Sequence, residues 1–421
     1  MSDFVTILDT VQNNGLYVAA LVFFAWYPIF SSAMWVFSGV LFFVRRERKS
    51  AEVVAEGFTP MVSILIAAYN EEDHIANTIK GCLAIDYDDF EIVIVDDGSS
   101  DNTPRILRRY ADRKQIRVIR KQLNEGKAMA LNDFIPHTRG EIILTIDADA
   151  VPDPQILKRM VPHFQSPRVG AVTGNPRVAN RRSFLSKIQA IEFTSIVSLQ
   201  RRGARVWGKV LAISGVVGAY HKSALLDVGM YSPDMATEDI DLTWKLQIRH
   251  WDIRYEPRAI VWMRVPVSLR GLWHQHMRWA RGLAQVMLRH GRTAMTWRSR
   301  RLWPILAEAY LSTVWAYLFV LLTALWTFSY AAGFPPVGAS PIPNYWGMLI
   351  GTMCLIQLGV GVFLDRRYDK RLPWYYALAV LYPLIYWILM AVVAVLATPG
   401  GLREPNGKRK PVKWKPVREV G

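Results

Sequence analysis

The strongest constraint on this chain is an almost unbroken apolar run, Leu16–Val44, close to its beginning. The run is long enough for one tilted membrane-spanning helix and too short for two. Asp3 and Asp9 precede it without any basic residue, whereas the mostly basic segment Arg45–Lys49 follows it. A signal peptide carries the opposite charge order. We therefore predict an uncleaved anchor over residues 1–45, with its N-terminus outside and the chain from Arg45 onward in the cytoplasm.

The composition agrees with a membrane protein that has a basic cytoplasmic face. Hydrophobic residues make up 51% of the chain, which also has 16 tryptophans and a formal net charge of +16. Because the basic residues lie beside apolar spans, they favour an anionic lipid bilayer as partner and argue against a nucleic acid. With 2 cysteines in the whole chain, a disulfide framework or a Cys-ligated zinc site is excluded.

The C-terminal part of the chain, residues 302–399, is predicted to form transmembrane helices. Three apolar spans occur there, at about 305–332, 346–364 and 374–397. The uncharged connection 333–344 suits the outside, whereas the basic connection 365–371 suits the cytoplasm. The basic tail, 400–421, also suits the cytoplasm, yet counting the crossings places it outside. Either the last apolar segment, which contains Pro383, is a re-entrant hairpin, or the tail departs from the positive-inside rule.

Between these regions, residues 46–301 are predicted to form one cytoplasmic α/β domain, because the stretch of roughly 240 residues from about Pro60 to about Arg301 has no comparable apolar span. Short β-branched runs alternate there with helix-like segments, and the runs end in turn residues: Met61–Asn70, Phe90–Ser99 and Glu141–Ala150. This alternation predicts a mostly parallel, doubly wound sheet. In such sheets ligands bind at the carboxyl ends of the strands, where this chain places its polar residues.

Two amphipathic segments, at about 183–200 and 269–290, interrupt the domain pattern. In the first, apolar residues recur about once per helical turn between basic flanks, and the second mixes Leu, Trp and Met with Arg and His. The pattern is typical of helices that lie in the membrane interface, and equally of surface helices packed on a domain.

Asp147 and Asp149 end the third of the β-branched runs. In an extended segment residues two apart point to the same side, so the two carboxylates repel unless a cation lies between them. Carboxylate oxygens suit Mg²⁺ or Mn²⁺, which commonly combine one or two carboxylates with substrate phosphates. An ordinary turn after a strand is the alternative interpretation.

Other segments carry candidate side chains whose interpretation is equally open when each stands alone. Asp97 follows the second run, where it could accept nucleobase N–H groups or form a turn. Lys127 precedes a helix-like run, where it could bind an anion or lie in a solvent-exposed cap. Glu238 and Asp239 begin another predicted helix, where acids stabilise the first turn, and Asp239 could also act as a general base.

The segment Gln275–Gly282 combines Arg278, which can bind phosphate oxygens in a bidentate manner, with Trp279, whose flat ring suits a sugar. An amphipathic interface helix without a substrate is the alternative.

Taken in order, these motifs resemble those of the family 2 processive glycosyltransferases, which include cellulose, chitin and hyaluronan synthases. The series is Asp97, Asp147-x-Asp149, Thr237-Glu238-Asp239 and Gln275-x-x-Arg278-Trp279. Further stretches resemble the bacterial branch that makes poly-β-1,6-N-acetyl-D-glucosamine, namely VGAVTGNPRV, SGVVGAY, TEDIDLTWKLQ and GLWHQHMRWARG. The resemblance extends from about Trp35 to the last apolar span. The chain departs from it at the N-terminus, where that branch often has two spans and this sequence has room for one.

The resemblance implies a GT-A type fold and a role for each matching residue. Tyr69, Glu71 and Asp97 would line the uracil pocket of a UDP-sugar, and Lys127 and Asp147 would contact the nucleotide. Asp149 would hold Mg²⁺ or Mn²⁺ on the diphosphate and, with Glu238 and Asp239, would form the catalytic set, Asp239 being the base. Gln275, Arg278 and Trp279 would bind the diphosphate and the acceptor end of the polymer.

The resemblance also implies a reaction: processive, inverting transfer of N-acetylglucosamine from UDP-GlcNAc to a β-1,6-linked polysaccharide that is exported as biofilm matrix. The expected location is the bacterial inner membrane, and some relatives need a small membrane partner subunit. The alternatives are a chitin-type or hyaluronan-type synthase and a single-transfer enzyme that acts on a lipid-linked sugar. A transporter or receptor with an inactive sugar-binding domain would not need Asp239.

Overall fold

The computed structural model describes residues 14–48, 57–333, 345–403 and 412. The expectations for the extreme N-terminus, for most of the 333–344 connection and for most of the basic tail therefore lie outside the described residues. Eight strands form one sheet: β1 Val62–Ala68, β2 Phe90–Asp96, β3 Ile116–Arg120, β4 Ile142–Ile146, β5 Val151–Pro152, β6 Val169–Val178, β7 Val217–His221 and β8 Asp252–Met263.

The sheet has the strand order β3-β2-β1-β4-β7-β6-β8-β5. Strands β3, β2, β1 and β4 pair in parallel, and β6 and β8 run in the same direction as these four. Only β7 and β5 run in the opposite direction within this sheet. The predicted mostly parallel α/β sheet is thus confirmed, with a mixed second half. The reversal of β7 has a simple cause: it begins beside the end of β4, where Asp147 N–H donates to Val216 O at 3.2 Å.

Both faces of the sheet are covered, as expected for strands without a polar side. Alternate residues of β1 belong to different cores: Ile64 and Ile66 lie in one cluster, and Leu65 and Ala67 in the other. Apart from Ser63, β-branched and aliphatic residues occupy every position of β1, so the strand is buried on both sides and its carboxyl end is the place for polar groups.

The α-helices of the described residues differ widely in length. They are α1 Gly15–Phe42, α2 Ile75–Leu83, α3 Thr103–Arg108, α4 Lys127–Phe134, α5 Ile156–Met160, α6 Phe184–Glu192, α7 Leu199–Trp207, α8 Lys222–Asp227, α9 Glu238–Ile248, α10 Leu269–Ala294, α11 Trp303–Ala331, α12 Tyr345–Asp365, α13 Leu372–Tyr375 and α14 Trp387–Arg403. A π-helical stretch, Phe193–Ser198, joins α6 to α7, so the two predicted amphipathic segments both form helices that extend past their predicted ends.

Among the described residues, three helical segments are long and apolar enough to cross a membrane: Gly15–Glu47, Trp297–Ala331 and Gly347–Asp365. The segment predicted as a span at 374–397 is helical throughout but is not one regular α-helix. It consists of α13, the short helical stretches Tyr376–Val380 and Tyr382–Tyr386, and then α14. Pro383 lies in the second of these stretches, where its ring and missing N–H prevent a regular helix.

The chain before and after this irregular helical segment contacts the same domain. At the end of α12, Asp365 forms an ion pair with Arg177 of β6 at 2.7 Å. At the end of α14, Gly401 packs against the backbone oxygen of Arg281 in α10. Since β6 and α10 both belong to the central domain, the chain returns to the side from which it left. Of the two alternatives for the tail, this geometry favours the re-entrant hairpin.

A buried ionic network fixes the helical region to the α/β domain. The Arg202 guanidinium on α7 bonds Glu47, just after α1, at 2.7 and 3.0 Å, and Asp365 of α12 at 2.7 Å. Arg177 binds the same Asp365, and all four side chains are at most 1% exposed. Removing one partner from such a buried group typically costs about 3–5 kcal/mol. This network therefore specifies how α1 and α12 are oriented on the domain that carries the site.

Candidate active site

Polar residues from the ends of β1 and β4 face one cavity of about 1080 Å³. The same cavity is bordered by the start of α9 and by one face of α10. It brings together all but two of the predicted site residues: Glu71, Lys127, Asp147, Asp149, Glu238, Asp239, Gln275, Arg278 and Trp279. The acids therefore lie together at the predicted edge of the sheet.

The two acids after β4 lie on the same side of the chain, as their spacing predicted. Ala148 and Ala150 point into the core and are buried, whereas Asp147 and Asp149 line the cavity. The Lys127 ammonium binds the Asp147 carboxylate and also donates to Gly215 O at 2.9 Å. Burial, and then the charge of Asp147, raises the pKa of Asp149 to about 7. Asp149 therefore lies beside another carboxylate in a buried position, where a bound cation would favour its ionised form.

Glu71, which follows β1, adds a third carboxylate and is only 5% exposed. Burial, followed by the charges of Asp149 and Asp147, raises its pKa to about 9. In the described part of the chain no group of three or more His, Cys, Asp or Glu side chains could hold a metal ion alone. Asp149 and its neighbours nevertheless fit a divalent cation, because they supply oxygen ligands and excess negative charge, and substrate phosphates can complete the shell.

Asp239 occupies the first turn of α9, where its Oδ1 accepts the Ile240 N–H at 2.9 Å. Burial, and then the charge of Glu238, raises the pKa of Asp239 to about 6, while Lys127 and Arg278 oppose this rise. A carboxylate with such a pKa is ionised at neutral pH and can accept a proton there. A Cβ at position 215 would lie 2.8 Å from Asp239 Oδ2, so the glycine there gives the backbone room beside this acid.

The α10 helix presents Gln275, Arg278 and Trp279 to the cavity, in keeping with their spacing of three and four residues. Arg278 is exposed, and its Nη1 makes a long contact of 3.4 Å with Ala236 O, which leaves most of its donors for a ligand. The Trp279 ring packs edge-on against Phe193 at 6.2 Å between centroids. Within the described residues, the buried Oε1 of Gln275 has no hydrogen-bond partner, as expected for a group that binds a ligand.

Gly282 is a positioning residue that the sequence interpretation missed, although it closes the quoted α10 motif. A Cβ at this position would lie 2.1 Å from Oγ1 of Thr237, the residue just before Glu238. Only glycine therefore allows α10 to approach the start of α9 so closely. A glycine four residues after Arg278 in a helix is the signal that could have pointed to this contact.

Asp97 and Tyr69 are the two predicted residues that do not line the cavity. The Asp97 carboxylate is buried and accepts the N–H groups of Glu125 at 3.2 Å and Gly126 at 2.8 Å. Burial raises the pKa of Asp97, and these two hydrogen bonds oppose the rise. Asp97 thus holds the loop that leads into α4 and Lys127. A role for Asp97 and Tyr69 in the uracil pocket stays a prediction.

The cavity also contains charged residues that the sequence interpretation did not select. Arg264 follows the carboxyl end of β8, and its charge lowers the pKa of Asp149. The position of Arg264 directly after a strand of the sheet was the signal that could have identified this residue from the sequence. Arg201 of α7 and Glu308 of α11 also line the cavity. Both lie far from the motifs in the chain, so only the folded structure brings them to the site.

Carboxylates at the carboxyl ends of a mostly parallel sheet, a candidate base on α9 and a basic, aromatic helix face define a glycosyltransferase of GT-A type. The glycosyl transferase family 2 model matches residues 63–229. The chain is 35% identical to a poly-β-1,6-N-acetyl-D-glucosamine synthase of Staphylococcus epidermidis, over 91% of this chain and 95% of that protein. It is 36% identical to the synthase of the same name from Staphylococcus aureus strain MSSA476, with the same coverage. The protein belongs to glycosyl transferase family 2.

A solved structure has the same fold over most of the chain. It is a mannosyltransferase from Pyrobaculum calidifontis in complex with GDP-Man and Mn²⁺, with a TM-score of 0.58 and 23% identity. The match covers 86% of this chain and 99% of that one. The likeness therefore extends beyond the α/β domain into the helical region.

Proposed function

We propose that this protein polymerises N-acetylglucosamine from UDP-GlcNAc into a β-1,6-linked polysaccharide and exports the product for a biofilm matrix. Two Staphylococcus relatives that match over 91% of the chain bear the name of this activity. The structural observation that carries the proposal is that a single cavity reaches both the acids at the strand ends and the apolar helices α1 and α11. A growing neutral polymer could pass from its site of synthesis directly between those helices.

The residues of the cavity can perform a direct displacement at the sugar carbon. The acceptor hydroxyl attacks that carbon while Asp239, with its pKa of about 6, takes the hydroxyl proton. Arg278 would bind the departing diphosphate, whose negative charge grows in the transition state. A single attack from the opposite face inverts the α-linked donor to a β-linkage, so no second nucleophilic carboxylate is required. Trp279 would hold the acceptor sugar against its ring.

Asp149 is the proposed ligand of a divalent cation, Mg²⁺ or Mn²⁺. Such an ion, when bound, supplies positive charge against the diphosphate. Asp149, Asp147 and Glu71 supply carboxylate oxygens whose mutual repulsion such an ion would relieve, and Lys127 would hold Asp147 toward the nucleotide. The Mn²⁺ in the Pyrobaculum mannosyltransferase complex supports a divalent ion at this type of fold.

We further propose that the chain is a multi-pass protein of the bacterial inner membrane. Residues 1–45 would be the anchor, 46–301 the cytoplasmic catalytic domain, 302–399 the C-terminal membrane region and 400–421 a cytoplasmic basic tail. The α6 and α10 regions would lie in the membrane interface beneath the catalytic domain. The re-entrant path between α12 and α14 would leave both of its ends on the cytoplasmic side.

The product can be tested in lipid vesicles that contain this chain as their only protein. UDP-GlcNAc and Mg²⁺ or Mn²⁺ are added, and the polymer is digested either with a β-1,6-specific hexosaminidase or with chitinase. We expect polymer that only the hexosaminidase degrades, and none from Asp239→Asn vesicles. Polymer that only chitinase degrades would favour the chitin-type alternative, and a single sugar on a lipid would favour the single-transfer alternative. Polymer from these vesicles would also mean that no partner subunit is required.

A further inference from the structure

A charged residue lies within the first two turns of a helix that is apolar enough to span a membrane. Glu308 is five residues past Trp303, the first residue of α11, which places it about 8 Å along the helix axis. Ionisable side chains in such segments are costly to bury and usually mark a substrate or ion path. Glu308 therefore needs an explanation beyond the apolar character of its helix.

Three donors from α1 hold this carboxylate in one orientation. Tyr27 Oη and Ser31 Oγ donate to Glu308 Oε1 at 3.0 Å each, and Trp35 Nε1 donates at 3.3 Å. The donors are spaced four residues apart, so they form one stripe along α1. All three reach the same oxygen. Within the described part of the chain, Oε2 is thereby left for a donor from a ligand.

Glu308 also faces the active-site cavity. It lines that cavity together with Trp35 on α1 and Ser312, one turn further along α11. A carboxylate that only tied α1 to α11 would have no reason to border the space that also contains Asp239 and Trp279. The polar cluster therefore belongs to the surface that a bound substrate meets.

The charge of Glu308 indicates which part of the substrate it can bind. A carboxylate repels the diphosphate of the donor, whereas it accepts hydrogen bonds from neutral hydroxyl and amide N–H groups, and such charge-assisted bonds are strong. An N-acetylglucosamine unit offers both kinds of donor. Trp35 and Ser312 add an aromatic surface and a hydroxyl, which are typical partners of a sugar.

We infer that Glu308, oriented by Tyr27, Ser31 and Trp35, forms a binding subsite for a sugar unit of the acceptor chain that has already been added. The subsite lies on the membrane side of the catalytic acids, between α1 and α11, where it holds the polymer between successive transfers. This inference rests on the proposed function, because it requires a polymeric acceptor.

The test is a Glu308→Gln variant of the full chain in lipid nanodiscs. Glutamine keeps one carbonyl oxygen for the three α1 donors but replaces the second oxygen by an amide nitrogen, which cannot accept. Affinities for β-1,6-linked N-acetylglucosamine oligomers of increasing length, and for UDP, are measured by calorimetry. We expect roughly tenfold weaker binding of the longer oligomers, unchanged UDP affinity within about twofold, and shorter polymer products. Thr327→Val, on an exposed part of α11, is the control and should change none of these values.

Equal oligomer affinity for Glu308→Gln and the wild type at every length would overturn the subsite, as would an equal loss of UDP affinity. If Glu308→Gln does not fold, Ser312→Ala is measured in the same way and judged by the same criteria. If the wild type binds β-1,4-linked oligomers and not β-1,6-linked ones, the proposed product is wrong. The variant is then judged on the β-1,4 series, so the subsite and the product are tested separately.

Discussion

The contact between Gly282 and Thr237 allows a quantitative prediction about catalysis. An alanine at position 282 would place its Cβ 2.1 Å from Thr237 Oγ1 and 2.5 Å from Thr237 Cγ2. Ordinary contact requires roughly 3.5 Å, so α10 and the start of α9 must separate by more than about 1 Å. This shift moves Arg278 away from Asp239. A misplacement of about 1 Å can slow a reaction about 100-fold, which is the decrease in kcat/KM that we expect for Gly282→Ala.

The assay is the rate of UDP release by the purified protein in nanodiscs at low UDP-GlcNAc concentration, with polymer yield as a second readout. Gly351→Ala is the matched control, because a Cβ at that glycine of α12 would meet nothing within 4 Å. It should retain wild-type activity. Thr237→Ala removes the two atoms that clash most severely, so the double variant should recover part of the lost rate.

A Gly282→Ala enzyme with nearly wild-type kcat/KM would refute the reasoning, because it would mean that the α9–α10 spacing does not determine the rate. A loss that Thr237→Ala fails to relieve would likewise show that another effect is responsible. Alanine favours a helix more than glycine does, so helix propensity cannot account for a slower variant.

The remaining predictions concern the acids and the tryptophan of the cavity. Asp239→Asn should fold and bind UDP normally yet make no polymer; normal polymer would refute its role as base. Because the pKa of Asp239 is about 6 and the base must be ionised, kcat/KM should fall about tenfold per pH unit below pH 6. Glu238→Gln should move this acid limb to lower pH, and an upward shift would contradict the charge effect. Asp149→Ala should abolish the Mg²⁺ or Mn²⁺ dependence of UDP binding, measured by calorimetry with and without chelator. Trp279→Ala should weaken oligomer binding roughly tenfold and UDP binding little; the reverse order would place Trp279 beside the donor.

Local patterns were sufficient to predict the parts of the site that depend on one strand or one helix. Asp147 and Asp149 were predictable because strand geometry points alternate residues to the same side, and the alanines between and after them are buried. The spacing of Gln275, Arg278 and Trp279 likewise places them on one face of α10. In each case the periodicity of the chain determines the direction of the side chains.

Contacts between distant parts of the chain could not be predicted in this way. The network of Glu47, Arg202 and Asp365 joins three helices, and Glu47 appeared from the sequence to be one charge of a basic flank. A glycine within the helix could signal a close contact at position 282, but nothing in the sequence indicated that Thr237 is the residue that lies against it. Such pairs depend on tertiary packing, which neither propensity nor periodicity encodes.

The C-terminal region illustrates the limit of hydropathy. The segment 374–397 is apolar enough to suggest a regular span. Pro383, which has no N–H to donate, instead lies in a π-helical stretch, Tyr382–Tyr386, that follows a 3₁₀ stretch and leads into α14 at Trp387. Hydropathy measures how well a segment tolerates lipid, whereas the path of the segment also depends on its packing against neighbouring helices. Pro383 and the basic tail, which counting the crossings placed outside, were the sequence signals for an unusual path of this segment.

The central claim is that synthesis and export use one cavity, which connects the acids with the membrane helices. The direct measurement is the location of the polymer in sealed vesicles whose catalytic domains face outward. UDP-GlcNAc is added outside, and the product is then exposed to a β-1,6-specific hexosaminidase before and after the vesicles are opened with detergent. We predict polymer that resists the enzyme until detergent is added, because the product has passed into the lumen. Polymer that is fully digested in intact vesicles would contradict the coupling of synthesis to export.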